Sequence, residues 1–373
     1  MIDRAPRQAV VLSGSGCGST DAYGVGVLKA LAEGAAPTVN GIFEPSIYSG
    51  AAFGAFNAAV MTADPGFGTT ATVRWLEQAW LDGLCSTASR PNGVFRIRCS
   101  PMTLLDPRSW FGSPVSTAAD AAKDVAYLTS DLMARVRANF TPGGSAGIGE
   151  RIAGMLAATP FFDMSPLRTH LRSFVDLARV RSSTKTLMVN ATDWERGIGR
   201  IFTNVDMTDA QGHDILQASA AYLIMFPFVD IAGHPFGGGP GSLATPLRPV
   251  LETFAPHADS LTVHTVYIHP PMARIPLGDM PGLLTGTGRY FDMVESLNVR
   301  ADVEYGPGQA PPATASGSGA RVTIHRYRPN TPIVDWYRML EFDRTKTEAF
   351  IAQGYRDTKN HDCRAAGCIC VPE

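Results

Sequence analysis

The sequence predicts an α/β fold built on a mainly parallel sheet, and three stretches of its 373 residues predict it. The first is an apolar run at 8–12 (QAVVL) that lacks polar alternation, as a strand buried on both faces does. The second follows the loop after it: Val25, Leu28 and Leu31 recur at helical spacing, and Gly34 stands where a C-cap belongs. The third is 47–59 (IYSGAAFGAFNAA), a strand that breaks at small residues and becomes a helix at once. Strand, helix, strand in this order make a β-α-β unit, whose crossover lays its strands parallel.

The remaining elements follow in chain order. A helix is expected over 70–84, with Val73, Leu76, Trp80 and Leu84 on one face, and another over 118–140. Between them, 91–115 is rich in Pro, Ser and aromatic residues without periodicity, and reads as an irregular surface excursion or a lid. Ser165 and Pro166 open a helix as N-cap and first position, with Arg168, Arg172, Arg179 and Arg181 alternating with Leu167, Leu171, Phe174 and Val175. That pattern is a core helix with a solvated basic face rather than a membrane-surface helix. Strands are expected at 185–193, 200–203, 261–268 and 321–327, and helices at 216–221 and 346–354. The segment 307–319 (Pro, Gly, Ala and Ser) reads as a mobile loop, and 356–373 as a tail. No internal repeat is visible.

Composition narrows the classes. With 45% hydrophobic and 18% charged residues the chain is globular, and 373 residues are enough for one large α/β domain. A net charge of −2 supplies no electrostatic reason to bind nucleic acid or an anionic membrane. The longest apolar run, 218–229, is interrupted by Pro227 and is too short to span a bilayer. With no signal-peptide pattern at the start, a cytoplasmic protein is expected. Of six cysteines, Cys363, Cys368 and Cys370 crowd the C-terminus beside His361 and Asp362. Their C-x4-C-x-C spacing matches no common zinc framework, so no metal is expected there and a flexible tail is.

Two stretches carry chemistry. Gly50-Ala51-Ala52-Phe53-Gly54 has the layout of a nucleophile elbow, G-x-S-x-G, in which a strained turn lifts one side chain above the end of a parallel sheet. The position that should carry a hydroxyl is Ala52. The loop Gly14-Ser15-Gly16-Cys17-Gly18, between strand and helix, can cradle an anion on its N–H groups. It is neither G-x-G-x-x-G, since Ser19 takes the last glycine position, nor a P-loop, and taken alone it is a tight turn.

In order and along nearly the whole chain, these segments resemble the bacterial patatin-like phospholipases. The opening loop with Gly26-Val27-Leu28-Lys29-Ala30-Leu31, the elbow with Ala55-Phe56-Asn57-Ala58, Asn190-Ala191-Thr192-Asp193, Ala218-Ser219-Ala220-Ala221, Phe226-Pro227, the glycines at 237–239, Thr245-Pro246-Leu247 and Phe342-Asp343 carry the resemblance. It implies a three-layer α/β/α sandwich as a single domain over 1–373, with its core at about 8–355. It also implies hydrolysis of carboxylic esters of lipids by a Ser-Asp dyad with an oxyanion loop, without metal or cofactor. The implied partner is an acyl lipid or ester in the cleft, with peripheral membrane contact and no nucleic acid.

The chain departs from that pattern in three places. Ala52 stands at the nucleophile position, and in serine hydrolases losing the serine alone costs on the order of 10⁶ in turnover. Gly237 stands at the acid position, with Gly238 the alternative one residue on; Asp230 is a candidate substitute. The loop at 14–18 is longer and lacks the basic residue, and Ser15 and Cys17, meant to hold an oxyanion, are poor replacement nucleophiles. Three readings stay open: a natural pseudoenzyme that binds a lipid or a protein, an engineered Ser-to-Ala knockout of an active esterase, or a phosphate site at 14–18. The first accounts for all three departures together.

Overall fold

The computed structural model describes residues 5–14, 18–64, 66–87, 93–97, 162–222, 226–238, 244–269, 321–330, 333 and 341–369. The helix expected at 118–140, the loop at 307–319, most of the stretch 91–115, and Ser15, Gly16, Cys17 and Cys370 lie outside these residues.

In chain order the elements are β1 (Arg7–Leu12), α1 (Ala22–Ala32), β2 (Ile47–Ala51), α2 (Phe53–Thr62), α3 (Thr69–Gln78), and the short β3 (Arg96–Ile97) and β4 (Phe162–Asp163). There follow α4 (Ser165–Phe174), α5 (Leu177–Ser182), β5 (Thr186–Asp193), β6 (Ile198–Thr203), α6 (Gly212–Ala220), β7 (Val229–Ile231) and β8 (His234–Gly237). The chain continues through α7 (Leu247–Phe254), β9 (Ser260–Val266), β10 (Arg321–Tyr327), α8 (Arg344–Lys359) and α9 (Cys363–Ala366).

One sheet organises them. The strands β10, β9, β1, β2 and β5 lie side by side and all parallel, while β6 and the β7–β8 hairpin add antiparallel pairs beyond. Alternate residues of the parallel strands enter different cores. Val10, Leu12, Tyr48, Leu187 and Val189 join the larger cluster with α1, α2 and α3, whereas Ala9, Val11, Ile47, Met188, Leu261 and Val263 pack on Leu247, Val250, Leu251 and Phe254 of α7. Burial on both faces explains why β1 shows no polar alternation. The result is the expected layering, helices on both faces of a mainly parallel sheet.

Two expectations for the helices need correction. Ser165 is already inside α4; Met164 caps it, and the Asp163 carboxylate accepts the Ser165 N–H at 2.9 Å. The basic helix is also two helices, because Val175 is extended and Asp176 caps α5 by accepting the Arg179 N–H. Arg168 and Arg181 pair with Asp214 and Asp209, so these guanidinium groups serve the protein's own surface acids. The C-terminal helix runs further than its apolar pattern, to Lys359, and a second short helix follows at Cys363–Ala366. Among the described residues no helix is long and apolar enough to cross a membrane.

Helices α1 and α8 meet backbone to backbone. A Cβ placed on Gly26 would land on the Ile351 carbonyl oxygen, and one on Gly354 would land on that of Tyr23. Gly24, two residues earlier on α1, is different: its added Cβ would meet Leu12, Asn57 and Val266 side chains at 3.6–3.8 Å, ordinary contact. Gly24→Ala should therefore be neutral or stabilise by up to about 1 kcal/mol through helix propensity, whereas Gly26→Ala should cost at least about 2 kcal/mol by forcing the helices apart. Urea denaturation of the two variants tests this; equal stability would mean that α1 and α8 are not in backbone contact.

Candidate functional site

The elbow is built by close backbone approaches that only small residues allow. β2 ends at Ala51 and α2 begins at Phe53, so Ala52 alone makes the turn, at φ 51° and ψ −130°. An L-residue pays about 1–3 kcal/mol to sit in such a conformation. A Cβ on Gly50 would strike the Gly54 carbonyl, and one on Gly54 would come within 2.5 Å of Leu12 O at the end of β1. Gly14 lies against the apex itself, since its added Cβ would be 2.5 Å from the Ala52 methyl. Gly18, at the far end of the same loop, leads into Asp21, whose carbonyl accepts from Asn57 Nδ2 of α2 at 3.3 Å. Asn57 Oδ1 in turn accepts from the Trp80 indole at 2.7 Å, and Phe53 packs on Trp80 and Phe342 with ring centroids 5.5 and 5.4 Å away. Gly14, the elbow and the helix behind it are thus one packed unit.

Strand register places Gly237. Each residue of β5 has two edges. β6 occupies one of them continuously from Met188 to Asp193, so β2 and β8 must share the other. On that edge Ala51 pairs with Asn190 and Gly237 with Thr192, which sets Gly237 about two residues, roughly 7 Å, beyond the end of β2. β8 runs back toward β2, so its last residue faces the turn at Ala52.

Space decides between the two glycines. A Cβ on Gly238 would lie 2.5 Å from the Ser219 carbonyl oxygen, a collision with backbone. A Cβ on Gly237 would meet the Trp194 indole nitrogen at 3.0 Å and Ala221 O at 3.1 Å, tight but relieved by a small movement of the indole. Asp230 is on the outer strand of the hairpin, paired with Pro235, and is exposed; its carboxylate accepts the Gly233 N–H of its own turn. It does not face the elbow. Asp193, paired beside Phe236, accepts the N–H groups of Glu195 and Arg196 and the Arg196 guanidinium. Burial alone would raise its carboxyl, but the Arg196 N–H and then its guanidinium pull it below the ordinary carboxylate range. It anchors the β5–β6 turn.

One residue that sequence reasoning passed over ties the site together. Ser219, buried at the end of α6, accepts the Ala52 N–H at 2.9 Å and donates to Asn190 O at 2.6 Å. Its hydroxyl fixes the strained turn to β5, while its carbonyl defines the wall behind Gly238. In the sequence it stands in the Ala218-Ser219-Ala220-Ala221 segment that carries the resemblance, but nothing there assigns its hydroxyl a role. Of the residues singled out, Gly14, Gly50, Ala52, Phe53, Gly54 and Gly237 are brought together, whereas Asp230 is not. Neither Ala52 nor Gly237 carries a group that can move a proton.

No family model matches the chain, and no curated protein matches it. Among solved structures, VipD from Legionella pneumophila aligns at 12% identity with a TM-score of 0.33, covering 93% of this chain and 67% of that one. A likeness this slight carries no argument, and the reading of the site rests on its geometry.

Ser219→Ala removes the acceptor of a buried N–H and the donor to a buried carbonyl, and should cost about 1–3 kcal/mol in chemical denaturation. A loss below about 0.5 kcal/mol would show that Ser219 does not hold the turn.

Proposed function

We propose that the chain is a patatin-like acyl-hydrolase scaffold that has lost its Ser-Asp dyad and holds an acyl lipid or lipid ester without cleaving it. The observation that carries this reading is the elbow: a conformation that costs free energy persists at Ala52 although the side chain it presents is a methyl group. In a working hydrolase that strain presents the nucleophile. Here the turn, the glycines around it and the strand end facing it are kept, and the reactive groups are not.

The surroundings of Gly237 favour natural loss over an engineered exchange at one position. A Cβ at 237 would need the Trp194 indole and Ala221 O, 3.0 and 3.1 Å away, to give by only a few tenths of an ångström, so an acid could stand there and none does. A single Ser-to-Ala exchange at the apex would leave an acid in place, and position 237 has none. Gly14 lies against the apex, which leaves room beside the turn only for a small group.

Hydrolysis of a short-chain p-nitrophenyl ester tests the reading. The chain itself and Ala52→Ser should both be inactive, and the double variant Ala52→Ser/Gly237→Asp should gain turnover. Activity in Ala52→Ser alone would show a proton acceptor already in place and support the knockout reading; activity in the unaltered chain would refute the loss of the dyad. For binding, a long-chain fatty acid or phospholipid should raise the melting temperature as RT ln(1 + [L]/Kd) requires, about 2.7 kcal/mol at a hundredfold excess over Kd. No shift with any acyl lipid would remove the binding role.

A further inference from the structure

Cys363 and Cys368 do not trail away from the fold; with two histidines they converge at the β10 end of the sheet. His325 projects from β10, His361 follows α8, Cys363 opens α9 and Cys368 follows it. Their ligand atoms all lie within 4.8 Å of one another. Tetrahedral zinc, with Zn–S about 2.3 Å and Zn–N about 2.0–2.1 Å, sets its ligand atoms roughly 3.3–3.8 Å apart. His361 Nε2 and Cys368 Sγ are 3.3 Å apart, and Cys363 Sγ and His325 Nδ1 are 3.5 Å apart, so two of the edges already have that length. We propose that His325, His361, Cys363 and Cys368 form a structural zinc site of the Cys2His2 type that fastens the C-terminal segment to the edge strand of the sheet.

The donor set selects the metal. Two thiolates and two imidazoles at tetrahedral spacing suit zinc, and four protein ligands leave no open position for substrate, as structural sites require. The groups around the ligands are already arranged to hold them. The Arg326 N–H points at Cys368 Sγ at 3.2 Å, a donor to the sulfur of the kind that steadies a bound thiolate. Asp362 caps α9 by accepting the Arg364 N–H, the Cys368 N–H returns to Cys363 O at 2.9 Å, and Gly367 takes the left-handed conformation (φ 68°) that turns the chain between the two cysteines. Beyond Cys368, Ile369 and Ile324 exchange both backbone hydrogen bonds, at 2.8 and 2.9 Å. The segment therefore pairs with β10, the outermost strand on that side among the described residues, and a paired edge is less open to pairing with another chain.

The C-x4-C spacing gives no sign of this because one ligand comes from β10, well upstream, and meets the tail where Ile324 pairs with Ile369. The site is independent of the elbow and of the function proposed for it.

The test is metal analysis of the full-length chain purified under reducing conditions. The expected result is about one zinc per chain, released by chelator with a fall in melting temperature and restored by Zn²⁺. Cys368→Ala and His361→Ala should each lose the metal, while Cys85→Ala, in the buried core, should keep it. Should those variants fail to fold, the unaltered protein refilled with Co²⁺ supplies a second readout: intense visible bands of tetrahedral cobalt with thiolate-to-metal charge transfer. A chain that takes up neither Zn²⁺ nor Co²⁺, an octahedral cobalt spectrum, or a disulfide between Cys363 and Cys368 in the reduced preparation would overturn the proposal.

Discussion

The constraint on which the site depends is the meeting of three backbones at a point where no side chain fits. Leu12 at the end of β1, Gly50 in β2 and Gly54 in α2 approach so closely that a Cβ on either glycine collides with main-chain oxygen. With strand, turn and helix locked in this way, the residue at the apex has no choice of conformation. Ala52 takes φ 51° because its neighbours leave nothing else.

That constraint holds the shape of the turn whether or not its apex carries a reactive group. Strain at an apex is normally tolerated because the surrounding structure over-determines it. Here the determinants are packing contacts: the glycines, the Ser219 hydroxyl and the Phe53–Trp80–Phe342 aromatic cluster. None of them needs a hydroxyl at position 52 or a carboxylate at position 237. The turn stands with neither group present.

The same logic marks what could be read in the sequence. The elbow was legible because close backbone approach forces small residues at fixed spacing, and β1 because burial on both faces removes polar alternation. That a Cβ meets backbone at Gly238 but has more room at Gly237 was not legible, since it turns on the Ser219 carbonyl, which reaches β8 only through the tertiary arrangement of α6. The break between α4 and α5 was hidden because the arginine and leucine pattern runs through it, and only the Asp176 cap reveals it. The convergence of His325 with Cys363 and Cys368 was hidden for a related reason: the pairing of Ile324 with Ile369, and no motif, supplies the missing ligand.

The claim that the elbow is intact and lacks only its two reactive groups is tested most directly by intact-mass analysis after exposure to a fluorophosphonate, which modifies an activated serine. The account predicts one adduct on the Ala52→Ser/Gly237→Asp variant, localised to the peptide spanning position 52, and none on the unaltered chain. An adduct on the unaltered chain, or no adduct on a folded double variant, would contradict it.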